Sequence, residues 1–173
     1  SSGAVSIRTS DGGTAGVSGN IGLTSGDTAN GNSGTIAFTS GKSTGGKGGS
    51  ITLSVGEGNT GAGGDVTVNA GITSASDNIG GGITIASGKG TATSSGAISL
   101  TTTDGGSTAG VSGNIGLTTG NTPNGNTGTI GLTTGTATGG KGGSVTLSVG
   151  EGDTGVGGDV TIDAGKTTAS NSA

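Results

Sequence analysis

Two segments carry the first seven positions of a phosphate-binding loop, GKSTGGK at 41–47 and GTATGGK at 135–141. That loop works only with Ser or Thr after its Lys and with a helix whose N-terminal amides meet the phosphate. Here Gly48 and Gly142 follow, and strand-type sequence comes next. GEGNTG at 56–61 and GEGDTG at 150–155 fit the dinucleotide pattern G-x-G-x-x-G. They too lack a following helix pattern. GAGGDVTV at 61–68 shares the Gly and Asp placement of Ca²⁺-binding nonapeptide repeats. The repeat period here is not nine, however, and Asp65 and Asp159 are not joined by aspartates at the same position of the adjacent repeats. A solvated Asp beside a turn is the expectation at both positions.

Nucleophilic or acid–base catalysis needs a nucleophile with a base, or paired acids in a pocket. The chain has no His and no Cys, and its carboxylates are scattered. We expect no enzyme, no catalytic residue, no metal and no cofactor. Absence of Cys also removes disulfides and thiolate chemistry from consideration.

Composition narrows the class further. Of 173 residues, 46 are Gly, 9% are charged, and Phe38 is the single aromatic residue. An ordinary globular domain carries about a quarter charged and nearly half apolar residues. Net charge is −4, with six basic residues. Nucleic-acid binding favours clustered basic side chains and stacking aromatics, so no nucleic-acid partner is expected. No apolar run reaches the length of a membrane span, so no membrane insertion is expected. The chain starts at Ser1 with no initiator Met and no secretory apolar region, which suggests a mature product or an excerpt.

The elements that would position any side chain come from a repeat. A Gly followed by apolar residues at +2 and +4 recurs eleven times. The opening glycines of repeats 1 to 11 are Gly3, Gly19, Gly34, Gly49, Gly64, Gly81, Gly96, Gly113, Gly128, Gly143 and Gly158. Their spacing is 15 to 17 residues. Doublets such as Ile21/Leu23, Ile36/Phe38, Val66/Val68 and Ile130/Leu132 have strand periodicity with one face buried. In most repeats a Gly at +7, such as Gly26, Gly41 and Gly56, closes the segment. Gly density argues against helix. Positions +12 and +14 are mostly Gly, Ser or Thr, suited to a second wall close to the first.

This pattern predicts an all-β fold. The expected architecture is a single-stranded β-solenoid, or β-helix, of about eleven rungs with about 15 residues and two short strands per rung. Rungs stacked at ~4.8 Å would make a rod of about 50 Å. Residues 1–173 read as one continuous solenoid. A longer period overlies the short one, because 3–71 matches 96–165; the long units are 3–95 and 96–173, the second truncated. Both ends look cut from a longer array, with no polar capping rung. At +8, Asp27, Lys42 and Glu57 succeed one another, as do Glu151 and Lys166. Opposite charges one rung apart would attract weakly and help set register, but solvated turn charges worth under about 1 kcal/mol are the expectation rather than a site.

On the predicted apolar strand the outward positions are +1, +3 and +5. The candidate binding face consists of Thr24, Thr35, Thr39, Thr52, Thr67, Thr84, Thr101, Thr118, Thr129, Thr133, Thr146 and Thr161. A flat Thr ladder could order water as an ice-binding surface, although Gly22, Ala37, Asn69, Ala86 and Gly116 interrupt its columns. The same residues also serve as ordinary outward β residues or O-glycan acceptors. No Asn-x-Ser/Thr sequon is present.

The segment SGTIAFTSGKSTGGKGGSITLSVGEGNTGAGGDVTVNAG at 33–71 resembles the Gly/Ser/Thr-rich repeats of large surface proteins of algae and their relatives, and of some large viruses infecting them. Repeat-type antifreeze proteins of polar algae look similar. The resemblance covers nearly the whole chain and carries over no functional residue. It implies an extracellular, non-enzymatic role. The leading expectation is a structural segment of a fibre, filament or cell-surface appendage, stacked end to end on copies of itself or adjoining repeats. Ice binding comes second, and an adhesion or carbohydrate-binding module third.

Overall fold

Once in each of repeats 1 to 10 the chain doubles back on itself and closes a small loop. In a computed structural model that describes residues 2–167, the backbone turns at 14–15, 29–31, 44–46, 59–61, 76–77, 91–93, 107–109, 123–125, 138–140 and 153–155. The repeat read from the sequence is thus present in the backbone as a periodic series of loops.

Each loop is closed at a neck. The opening Gly of repeats 2 to 11 lies against the residue at +6 of the preceding repeat. A Cβ on Gly34 would stand 3.6 Å from Ser25 Cβ, and one on Gly64 would stand 2.9 Å from Val55 Cγ1. The +6 column is small or β-branched throughout: Thr9, Ser25, Ser40, Val55, Ala70, Ser87, Thr102, Thr119, Thr134 and Val149. A longer side chain there would force the two arms apart. Some necks carry a hydrogen bond as well. Gly96 N–H donates to Gly88 O at 2.9 Å, Gly81 N–H to Gly71 O at 2.8 Å, and Thr9 Oγ1 to Gly19 O at 3.1 Å.

What lies inside the loop depends on position +9. Gly12, Gly90 and Gly105 occupy it where the loop is tightest; a Cβ on Gly90 would meet Ser94 O at 2.3 Å. In other repeats a hydroxyl stands there. Thr28 Oγ1, Ser43 Oγ and Thr122 Oγ1 approach Gly31, Gly46 and Gly125, and Ala75 N–H donates to Thr73 Oγ1 at 3.2 Å. Ser and Thr stabilise such turns by bonding the backbone a few residues on. Pro123 sets φ for the bend at 123–125. The GEGNTG and GEGDTG loops instead use left-handed glycines, Gly61 at φ 80° and Gly155 at φ 83°.

The expected all-β solenoid is not what these residues form. Among the described residues there is no strand and no helix, and the chain is largely coil. The rungs, the two strands per rung and the β-helix rod are therefore corrected. The backbone–backbone hydrogen bonds, Gly16 to Gly13, Gly81 to Gly71, Gly96 to Gly88 and Gly110 to Gly106, each lie within one loop, and among the described residues no ladder joins one repeat to the next.

The physical reason lies in the composition. Gly loses more backbone freedom on ordering than any other residue. Two aliphatic side chains per repeat bury too little surface to offset that loss. The local loop needs closure of only about nine residues, whereas a rung-to-rung ladder must fix every residue between.

Burial confirms the absence of a core. No hydrophobic residue is buried among the described residues, and accessible surface totals 16951 Å². A folded monomer of this mass would expose about 7,200 Å². Cover is nonetheless periodic. In repeats 2 to 11 the first doublet residue is always less exposed than the second, as for Ile36 at 41% and Phe38 at 69%. Aliphatics outside the doublets and necks, such as Ile72 and Val156, are almost fully exposed. By internal contacts the chain divides into two units, Ser1–Ile85 and Ala86–Ala173.

The two long sequence copies adopt the same local forms. Gly61 and Gly155 are equivalent positions with the same positive φ, and the Val55–Gly64 neck recurs as Val149–Gly158. One difference is informative. DGGTAG at 11–16 becomes DGGSTAG at 104–110, one residue longer. The Gly16-to-Gly13 bond becomes Gly110-to-Gly106, and Ala109 takes φ 57° to accommodate the insertion.

Candidate functional site

The twelve candidate threonines are all exposed. With no strand beneath them, alternation no longer assigns them to one face, and they do not form the flat ladder that the solenoid would have provided. They are also absent from the side-chain hydrogen bonds of Thr9, Thr73 and Thr154; the last lies 3.5 Å from Asp153 Oδ1.

The phosphate-loop look-alikes fall on bends 44–46 and 138–140, and the dinucleotide look-alikes on bends 59–61 and 153–155. Neither pair is followed by a helix. A phosphate would meet isolated amides there, without the converging N–H groups of a helix end. Asp65 and Asp159 stand just after an opening Gly, and no cluster of three carboxylate, His or Cys side chains occurs among the described residues. No cavity is found among them either. Arg8 and Asp11 approach to 3.6 Å, both well exposed, so solvent screens the pair.

What the structure does bring together is a recurrent surface of another kind. Repeats 1 to 10 each present an exposed aliphatic doublet, then a neck, then a bend, and except in repeat 5, where Ile72 stands there, the residue at +8 between neck and bend is charged or polar. Asp27, Lys42, Glu57, Lys89 and Glu151 all stand two residues before their bends. The surface is mostly uncharged, periodic, and rich in backbone N–H and C=O groups without intrachain partners. Exposed apolar side chains and unpaired backbone groups of this kind are the features through which one chain can contact another.

The +6 neck column escaped the sequence reading, which ended each strand at the +7 Gly. Its signal was present, since no residue larger than Val occurs at +6 of repeats 1 to 10. No family model, no curated protein and no solved structure matches this chain.

Proposed function

We propose that the chain is a non-enzymatic structural segment of an extracellular fibre, filament or cell-surface appendage, and that its repeats work by associating with further copies or adjoining repeats. The observation that carries this reading is the regular exposure of its aliphatic doublets, from Ile21/Leu23 to Val160/Ile162. A chain that leaves every doublet wet holds apolar surface and unpaired backbone in reserve for a partner. Low charge and a surface without a cavity among the described residues suit scaffolding better than ligand capture. Ice binding asks for a rigid planar Thr ladder, and the loop geometry favours the structural role over it.

Sedimentation velocity over a concentration series, with negative-stain microscopy of the same samples, tests the reading. Assemblies that grow with concentration are expected, together with no thermal hysteresis at millimolar chain. A strictly monomeric chain that produces hysteresis would replace this reading with the ice-binding one.

A further inference from the structure

Of the asparagines in the chain, only Asn30 and Asn124 precede Gly. They hold equivalent places in the two long copies, in TANGN at 28–32 and TPNGN at 122–126. Both lie within bends, at 29–31 and 123–125, and Asn30, Gly31, Asn124 and Gly125 are all exposed. Asn-Gly ordinarily seats a tight hairpin turn with positive φ at both residues. Here neither residue of either pair has positive φ, and among the described residues no backbone hydrogen bond spans either bend. The Gly31 and Gly125 amides therefore have no intrachain acceptor, and no Cβ of their own residue shields them.

We propose that Asn30–Gly31 and Asn124–Gly125 are sites of spontaneous deamidation, at which each Asn converts to aspartate and isoaspartate. The Gly31 nitrogen bonds to Asn30 Cγ and the Cγ–Nδ2 bond breaks. Ammonia leaves with the proton that the Gly31 amide gives up, and a cyclic imide remains. Water then opens the imide. Breaking the new N–Cγ bond gives aspartate in a normal main chain. Breaking the bond from that nitrogen to the Asn30 carbonyl carbon gives isoaspartate, whose main chain runs through Cβ and Cγ. One water is consumed, one ammonia is released, and nothing is oxidised or reduced. Asn124 and Gly125 react in the same way.

Closing the imide requires the Asn backbone and side chain to rotate toward each other, which a packed loop resists. These bends lie in a chain without a buried core among its described residues, and only local contacts hold them. Asn59 is the natural comparison. It stands in the exposed bend 59–61, but Thr60 follows it, and a branched side chain crowds the attacking nitrogen. Conversion at both sites takes the net charge from −4 to −6, one unit per site. Isoaspartate also lengthens each loop by one main-chain atom behind its neck. The inference does not depend on the structural role proposed above.

Peptide mapping by mass spectrometry tests it on the full chain held in warm neutral buffer, with isoaspartate detected by enzymatic methylation. Asn30 and Asn124 are expected to convert first, with ammonia released in step, isoaspartate among the products, and Asn59 far behind. Gly31→Ala should abolish conversion at Asn30 and leave Asn124 as the internal standard. An added Cβ at residue 31 meets only Thr28 Oγ1 at 3.5 Å, and no positive φ opposes it, so the bend keeps its form. Concentrated urea should leave both rates unchanged, because the loops impose no barrier of their own. Conversion no faster than at Asn59, aspartate without isoaspartate, persistence of the reaction in Gly31→Ala, or a marked acceleration in urea overturns the proposal.

Discussion

Ala109 bears a steric cost that its equivalents avoid. Its Cβ crowds the following carbonyl at φ 57°, a cost of about 1–2 kcal/mol for a non-Gly residue. The extra residue of the 104–110 loop forces this conformation. Ala109→Gly should strengthen the Gly110-to-Gly106 bond, seen as slower exchange and a smaller temperature coefficient of the Gly110 amide. Gly61→Ala and Gly155→Ala carry the opposite sign, since each imposes a cost of similar size on a loop that now has none. Gly13→Ala meets open space and serves as the silent control.

At the scale of the element, the neck is the unit that holds the loop. Its tightest forms pair Gly64 with Val55 and Gly158 with Val149, where an added Cβ would stand 2.9 Å from a Cγ1. Val is stiff at χ1, so the methyl cannot swing clear. Gly64→Ala should open this neck at a cost of about 1 kcal/mol, read as loss of the nuclear Overhauser contact between the Val55 methyls and residue 64. Adding Val55→Ala should restore closure. Gly34→Ala, with 3.6 Å to Ser25 Cβ, should leave its neck intact.

The period of these elements was plain in the spacing of Gly19, Gly34, Gly49 and Gly64, and the bends follow it. The strands were not. Ile36 and Phe38 two apart signal a buried face only if a second layer exists to bury it, and alternation alone cannot supply that layer. Thr39 and Thr52 illustrate the consequence for the candidate site. They were legible as exposed, and they are exposed, but their shared face depended on a ladder that the Gly-rich backbone does not form. Lys42, Lys89 and Glu151 were visible in sequence, whereas their place two residues ahead of a bend needed the loops.

The whole molecule has no buried core among its described residues, and its closures are local. Cooperative unfolding requires contacts that fail together. A globular chain of 173 residues would absorb about 120 kcal/mol on melting. Calorimetry on the dilute monomer should show no comparable endotherm, only gradual changes as loops open one after another. A sharp two-state transition would mean that repeats are packed together after all.

Loops that close separately also act as stored length. Each one holds about nine residues behind its neck, or roughly 30 Å of contour when drawn straight. A neck held by van der Waals contact and at most a hydrogen bond or two yields to a small pull and re-forms when the pull ends. Anchored at both ends, such a chain would behave as an elastic tether, giving way one repeat at a time under tension while the rest keep their form.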